Sequence, residues 1–122
     1  MRTVAMKKIL LIDDDEGIHF LYREELEEEG YKVYSALTGK DALRKLEVVS
    51  PDLVILDINM PGMNGIEVLR QIKEINPKMP VIISSGYQEY KQDIGAWVSD
   101  DYILKSADLA DLKAAVRGFL SK

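Results

Sequence analysis

Short runs dominated by apolar residues alternate along this chain with longer stretches in which apolar positions recur every three or four residues. Lys8–Ile12, Val33–Leu37, Leu53–Leu56, Val81–Ser84 and Tyr102–Leu104 are the short runs, and each reads as a strand. The first, third and fourth lack the apolar–polar alternation of a half-exposed strand, which predicts strands covered on both faces of a parallel sheet. Between them lie helical patterns. Gly17–Glu29 stops at Gly30, Lys40–Val49 carries Ala42, Leu43 and Leu46 on one face and stops before Pro51, and Ile66–Ile75 carries Ile66, Leu69, Ile72 and Ile75. Asp108–Leu120 carries Leu109, Leu112, Val116, Phe119 and Leu120 on one stripe. A fourth helix between the last two strands has weaker material, because Gln88–Asp93 is polar and Gly95 interrupts it. Five strands alternating with five helices predict an open, doubly wound parallel α/β sheet with right-handed crossovers.

Composition narrows this only a little. The chain has 122 residues, 47% hydrophobic and 30% charged, which fits one globular domain with one core. The absence of cysteine excludes disulfides, thiol nucleophiles and thiolate metal sites, and fits a cytoplasmic setting. No apolar run approaches the roughly 18–20 residues that span a bilayer. The basic start runs into Asp13-Asp14-Asp15 after a short apolar stretch, so it is not a secretory signal. Residues 1–6 read as a loose leader and 7–122 as the domain. A net charge of −5 argues against nucleic-acid binding by this domain.

Ligands of open α/β sheets bind beyond the carboxyl ends of the strands. Four such ends carry chemistry: Asp13, Asp14 and Asp15 after the first strand, Asp57 after the third, Ser84-Ser85 on the fourth and Lys105 after the fifth. Carboxylates about 4 Å apart repel by about 4 kcal/mol at an effective dielectric near 20. A hard divalent cation resolves that conflict, and Mg²⁺ suits one or two carboxylates together with phosphate oxygens. Asp57 is the natural nucleophile, since a carboxylate can form an acyl phosphate. Lys105 adds a positive charge and a serine hydroxyl a hydrogen-bond donor. Singly, each residue has an ordinary reading as a helix cap, a turn former or a solvated lysine. Their joint placement is what points to phosphoryl transfer.

From about Lys7 onward these segments resemble the response-regulator receiver family. KKILLIDDDEG (Lys7–Gly17) is similar to its first strand and acidic pair, and PDLVILDINMPGMNG (Pro51–Gly65) to its D-x-x-M-P-x-M-x-G signature. VIISSGY (Val81–Tyr87) matches the strand whose hydroxyl residue lies 28 positions after the acceptor, which selects Ser85 over Ser84. DDYILK (Asp100–Lys105) matches the fifth strand and its lysine. The resemblance implies a flavodoxin-like three-layer sandwich with strand order 2-1-3-4-5. It implies Asp57 as phosphoacceptor, and Asp14, Asp57 and the Asn59 backbone carbonyl as Mg²⁺ ligands, with Asp13 acting through a metal-bound water. Lys105 contacts the phosphoryl group, Ser85 and Tyr102 form the switch, and Asn59 and Tyr87 tune the acyl-phosphate lifetime. Pro61 and Gly65 shape the loop that launches the third helix. It also implies a sensor histidine kinase or phosphotransfer protein as donor, and a downstream protein or attached output domain as target. The chain itself would catalyse only its own phosphorylation and dephosphorylation, as a monomer or a phosphorylation-linked dimer.

Two departures stand out. Ser106 follows Lys105 where the family has a cis proline, and a cis bond before a non-proline residue costs about 3–4 kcal/mol, so we expect a trans bond. The segment between Ser85 and Lys105 is short for the family, which predicts a brief fourth helix. Helix one has more apolar residues than one face needs, and Ile18 and Leu21, near the acidic pocket, are the candidates for a kinase docking patch. His19, the only histidine, lacks metal-ligand company and reads as a surface helix residue; Trp97 reads as packing. A phosphatase with an aspartate nucleophile would want a second acid where Asn59 stands. A pure interaction module would not bind a phosphoryl mimic. Flavin binding lacks a phosphate-cradling loop after the first strand.

Overall fold

The computed structural model describes residues 6–57, 59–60, 63–85, 101–104 and 109–121, with residues 59, 60, 63, 85 and 101–104 described in their backbone alone. Its elements run β1 (Lys8–Ile12), α1 (Glu16–Glu28), β2 (Lys32–Ala36), α2 (Gly39–Val49), β3 (Leu53–Leu56), β4 (Asn59–Met60), β5 (Met63–Asn64), α3 (Gly65–Ile75), β6 (Val81–Ser85), β7 (Asp101–Leu104) and α4 (Leu109–Leu120). The strands of the main sheet are ordered β2-β1-β3-β6-β7 and all pair in parallel. This is the order the family resemblance implied. Four helices fall within the described residues; the expected fourth helix, Tyr87, Trp97, Lys105 and the Lys105–Ser106 bond lie outside them.

Alternation of side chains along each strand builds two cores. Leu10, Ile12, Val54, Leu56, Val81 and Ile83 pack with α2 and α3, while Ile9, Leu11, Leu53, Ile55 and Ile82 pack with α1 and α4. The result is a sheet between two helical layers, the arrangement in which wholly apolar strands are stable. The α1 and α4 helices are further tied by Lys113–Glu25 at 2.6 Å and Arg117–Glu29 at 3.0 Å.

Local chemistry sets the boundaries. Asp15 caps α1, accepting from the N–H groups of Gly17 and Ile18. That helix ends in a Schellman turn: Gly30, at φ 99°, donates to the Glu27 carbonyl and Tyr31 to that of Leu26. The α2 helix ends without a glycine, its C-cap Ser50 itself lying in the left-handed region at φ 52°. Asn64 caps α3. The β4–β5 hairpin, pairing Asn59 with Asn64 and Met60 with Met63, was not foreseen, because two-residue strands leave no periodic signal. One residue of α3 departs from expectation. Ile75, assigned to the buried stripe of α3, is 61% exposed, while Val68 takes a core place instead. Ile75 is the last residue of the helix, where the chain turns away through Asn76 and Pro77.

Candidate functional site

The acidic residues arrive at one edge because β1 and β3 are neighbours. The sheet ladder runs on past the strand ends: Asp13 N–H donates to Ala36 at 3.1 Å, and Asp57 N–H donates to Ile12 at 2.8 Å. Asp13 and Asp57 are both buried, whereas Asp14 is exposed. One oxygen of Asp13 accepts from the Asp15 N–H at 2.9 Å, which orients the carboxylate. Asp13, Asp14 and Asp57 each offer an oxygen such that the three atoms lie within 4.8 Å of one another. Asp15 takes no part in the cluster, being committed to the helix cap.

This donor set fits a small hard cation. Bonds of about 2.0–2.1 Å to an octahedral ion place adjacent ligand oxygens about 3 Å apart and opposite ones about 4 Å apart. Oxygens already gathered within 4.8 Å need only small side-chain adjustments to share one ion. Carboxylates are ligands for Mg²⁺, Ca²⁺ or Mn²⁺ rather than for soft metals.

The other expected site residues are placed in part. Ser85 ends β6 and pairs with Leu104, the last residue of β7. Tyr102 lies in β7 opposite Ile83. The side chains of Ser85, Tyr102 and Asn59 lie outside the description, as do Lys105 and Tyr87 altogether. Ser84, the hydroxyl set aside at the sequence level, is buried and has no hydrogen-bond partner among the described residues.

The α1 helix differs from the expectation in two ways. Phe20 is 73% and Leu21 42% exposed, while Ile18 is half-buried against the core, so the exposed apolar patch is centred on Phe20 and Leu21. His19 is not a surface residue: it is 7% exposed, and its Nε2 lies 2.6 Å from the Asp13 carbonyl oxygen. The signal was present in the helix phase. His19, Tyr22 and Leu26 fall three and four residues apart and form the buried stripe of α1. A cleft of about 340 Å³ opens beside α1, lined by Glu16, His19, Phe20, Arg23, Ser35 and Leu37; none of the three clustered aspartates lines it.

Comparison with known proteins agrees with this geometry. The sequence model of the family described as "Response regulator receiver domain" matches residues 9–117. Sporulation initiation phosphotransferase F of Bacillus subtilis (strain 168) is 36% identical over 119 residues, covering 93% of this chain and 94% of that protein. The alkaline phosphatase synthesis transcriptional regulatory protein PhoP of the same organism is 35% identical over 118 residues, and this chain spans 49% of its length. Among solved structures, response regulator TrrA from Thermotoga maritima in complex with Mg(2+)-BeF superposes with a TM-score of 0.89 at 41% identity, covering 94% of this chain and 100% of that one. TrrA in complex with histidine kinase ThkA gives a TM-score of 0.86.

Proposed function

Because the chain belongs to the response regulator receiver domain family, we propose that it is a phosphorylation switch with Asp57 as the phosphoacceptor. The donor is a sensor histidine kinase or a phosphotransfer protein. The observation that carries this reading is the convergence of the Asp13, Asp14 and Asp57 carboxylates from two adjacent strand ends.

Asp14 and Asp57, with the backbone carbonyl of Asn59, would hold Mg²⁺, and Asp13 would act through a metal-bound water. When bound, the ion neutralises charge on the phosphoryl oxygens during transfer. Asp57 Oδ attacks phosphorus, an O–P bond forms, and the bond to the donor imidazole nitrogen breaks with its electron pair leaving on that nitrogen. Lys105 supplies the second positive charge. Ser85 donates its hydroxyl to a phosphoryl oxygen, and Tyr102 on the neighbouring strand follows it inward. Asn59 and Tyr87 set how readily water reaches the acyl phosphate. The chain thereby catalyses its own phosphorylation and dephosphorylation.

The output follows from the change in charge. A dianionic group held by Mg²⁺, Lys105 and Ser85 biases the face that includes β7 and α4, and so alters affinity for a downstream protein or an attached output domain. Moving such an equilibrium from 1:99 to 99:1 takes about 5.5 kcal/mol. Kinase docking is assigned to the exposed apolar patch on α1, which lies next to the acidic edge and includes Leu21 beside the half-buried Ile18. TrrA, at 41% identity, has been crystallised with a histidine kinase, which supports a donor of that class. A cytoplasmic location belongs to this reading; among the described residues no helix is long and apolar enough to cross a membrane.

Calorimetric titration with beryllium fluoride in the presence of Mg²⁺ tests the reading. Stoichiometric binding that disappears in Asp57→Asn supports it. Absence of binding in the unmodified chain would leave an interaction module, and release of phosphate from a small ester would favour a phosphatase.

A further inference from the structure

We propose that His19 is a positioning residue for the acidic cluster, holding the Asp13–Asp14 peptide in the plane that the metal site requires; this rests on the reading of that cluster as a Mg²⁺ site.

The geometry begins with the polar contact that the ring makes among the described residues. His19 Nε2 lies 2.6 Å from the Asp13 carbonyl oxygen, in a buried setting. A carbonyl oxygen only accepts, so Nε2 carries the proton and donates it. That carbonyl belongs to the peptide unit joining Asp13 to Asp14. Fixing its plane therefore fixes how the two side chains leave the backbone, one buried and one exposed. Two other polar atoms of Asp13 are tied elsewhere: its N–H to Ala36 at 3.1 Å, and its Oδ1 to the Asp15 N–H at 2.9 Å. His19 adds a tie from the body of α1, one turn below the cap formed by Asp15.

The cost of this arrangement argues that the contact has a purpose. His19 Nδ1 is buried and has no hydrogen-bond partner among the described residues. A leucine or methionine at this place on the buried stripe would avoid that unsatisfied atom. A histidine is favourable here only through what Nε2 does. What it does is restrain a loop in which three carboxylates are brought within 4.8 Å against their mutual repulsion. Groups that orient metal ligands in this way commonly set metal affinity by about 10–100-fold.

The test separates positioning from packing. His19→Leu keeps the buried apolar volume and removes the donor; His19→Gln places an amide N–H near the reach of Nε2; His19→Asn has the amide but falls short. Mg²⁺ affinity is measured by calorimetry, and the thermal midpoint is measured in EDTA. The expected result is that His19→Leu binds Mg²⁺ about tenfold more weakly or worse, with a midpoint in EDTA no lower than that of the unmodified chain. His19→Gln recovers most of the affinity and His19→Asn does not. Should His19→Leu not fold, the Gln-against-Asn contrast decides. Unchanged Mg²⁺ affinity in the Leu variant, or equal weakening in Gln and Asn, overturns the positioning role alone. An unmodified chain that binds no Mg²⁺ overturns the metal reading as well.

Discussion

Asp57 donates its backbone N–H to the carbonyl of Ile12 at 2.8 Å, which continues the Ile12–Leu56 register and sets the candidate acceptor level with Asp13. The two buried aspartates are thus brought together by strand pairing rather than by loop conformation. A sheet edge built this way holds its carboxylates close whether or not a cation relieves their repulsion.

Asp57→Asn should therefore stabilise the chain in EDTA, by about 1–3 kcal/mol once lost local interactions are set against relieved repulsion. Millimolar Mg²⁺ should raise the thermal midpoint of the unmodified chain and leave that of the variant nearly unchanged. Thermal melts of both proteins with and without Mg²⁺ provide the measurement. A variant less stable than the parent in EDTA would mean that the cluster carries little repulsion.

Leu21→Ala separates docking from chemistry. The residue is 42% exposed, so the change in stability should stay within about 1 kcal/mol. Phosphotransfer from the cognate kinase should slow at least several-fold, while phosphorylation by acetyl phosphate proceeds at the parental rate. Equal rates with both donors would remove the α1 patch from the docking surface.

A pH effect is expected at the start of α2. A hydrogen bond from Arg44, at 2.8 Å, and the nearby Lys45 ammonium hold the Asp41 carboxyl below its ordinary value of 3.8, against a smaller opposing effect of burial. A lowered value in the folded state means that the stabilisation is present above pH 3.8 and is lost as the pH falls through the lower folded value. Asp41→Asn should cost about 0.5 kcal/mol at pH 7, a surface-pair and helix-end magnitude. The gap between variant and parent in urea midpoints should close as the pH drops below 3.8.

The packing of α3 gives a paired comparison. Leu69→Ala should cost about 2–5 kcal/mol, because the side chain is fully buried. Ile75→Ala should change stability by no more than about 0.5 kcal/mol. Urea midpoints of the two variants check the assignment.

Most of this architecture was legible because the apolar runs of β1, β3 and β6 have few alternative explanations in a chain of this length. The acidic cluster was legible for a related reason. Asp13-Asp14 and Asp57 follow their strands directly, and parallel neighbours bring such positions to one edge. The strand order came from the family signature and not from periodicity, which carries no information about lateral neighbours. The β4–β5 hairpin escaped because its pairing involves two residues on each side. His19 was misplaced by weighing its polarity above its phase on α1, although Tyr22 and Leu26 marked the inward stripe. Ile75 failed in the opposite way: its phase followed the stripe, but the helix ends at that residue.

The central claim is tested most directly by intact-protein mass after incubation with acetyl phosphate. The unmodified chain should gain one phosphoryl group in Mg²⁺ and none in EDTA, and Asp57→Asn should gain none in either. No gain in the unmodified chain, or an equal gain in Asp57→Asn, would contradict the assignment of Asp57 as the acceptor.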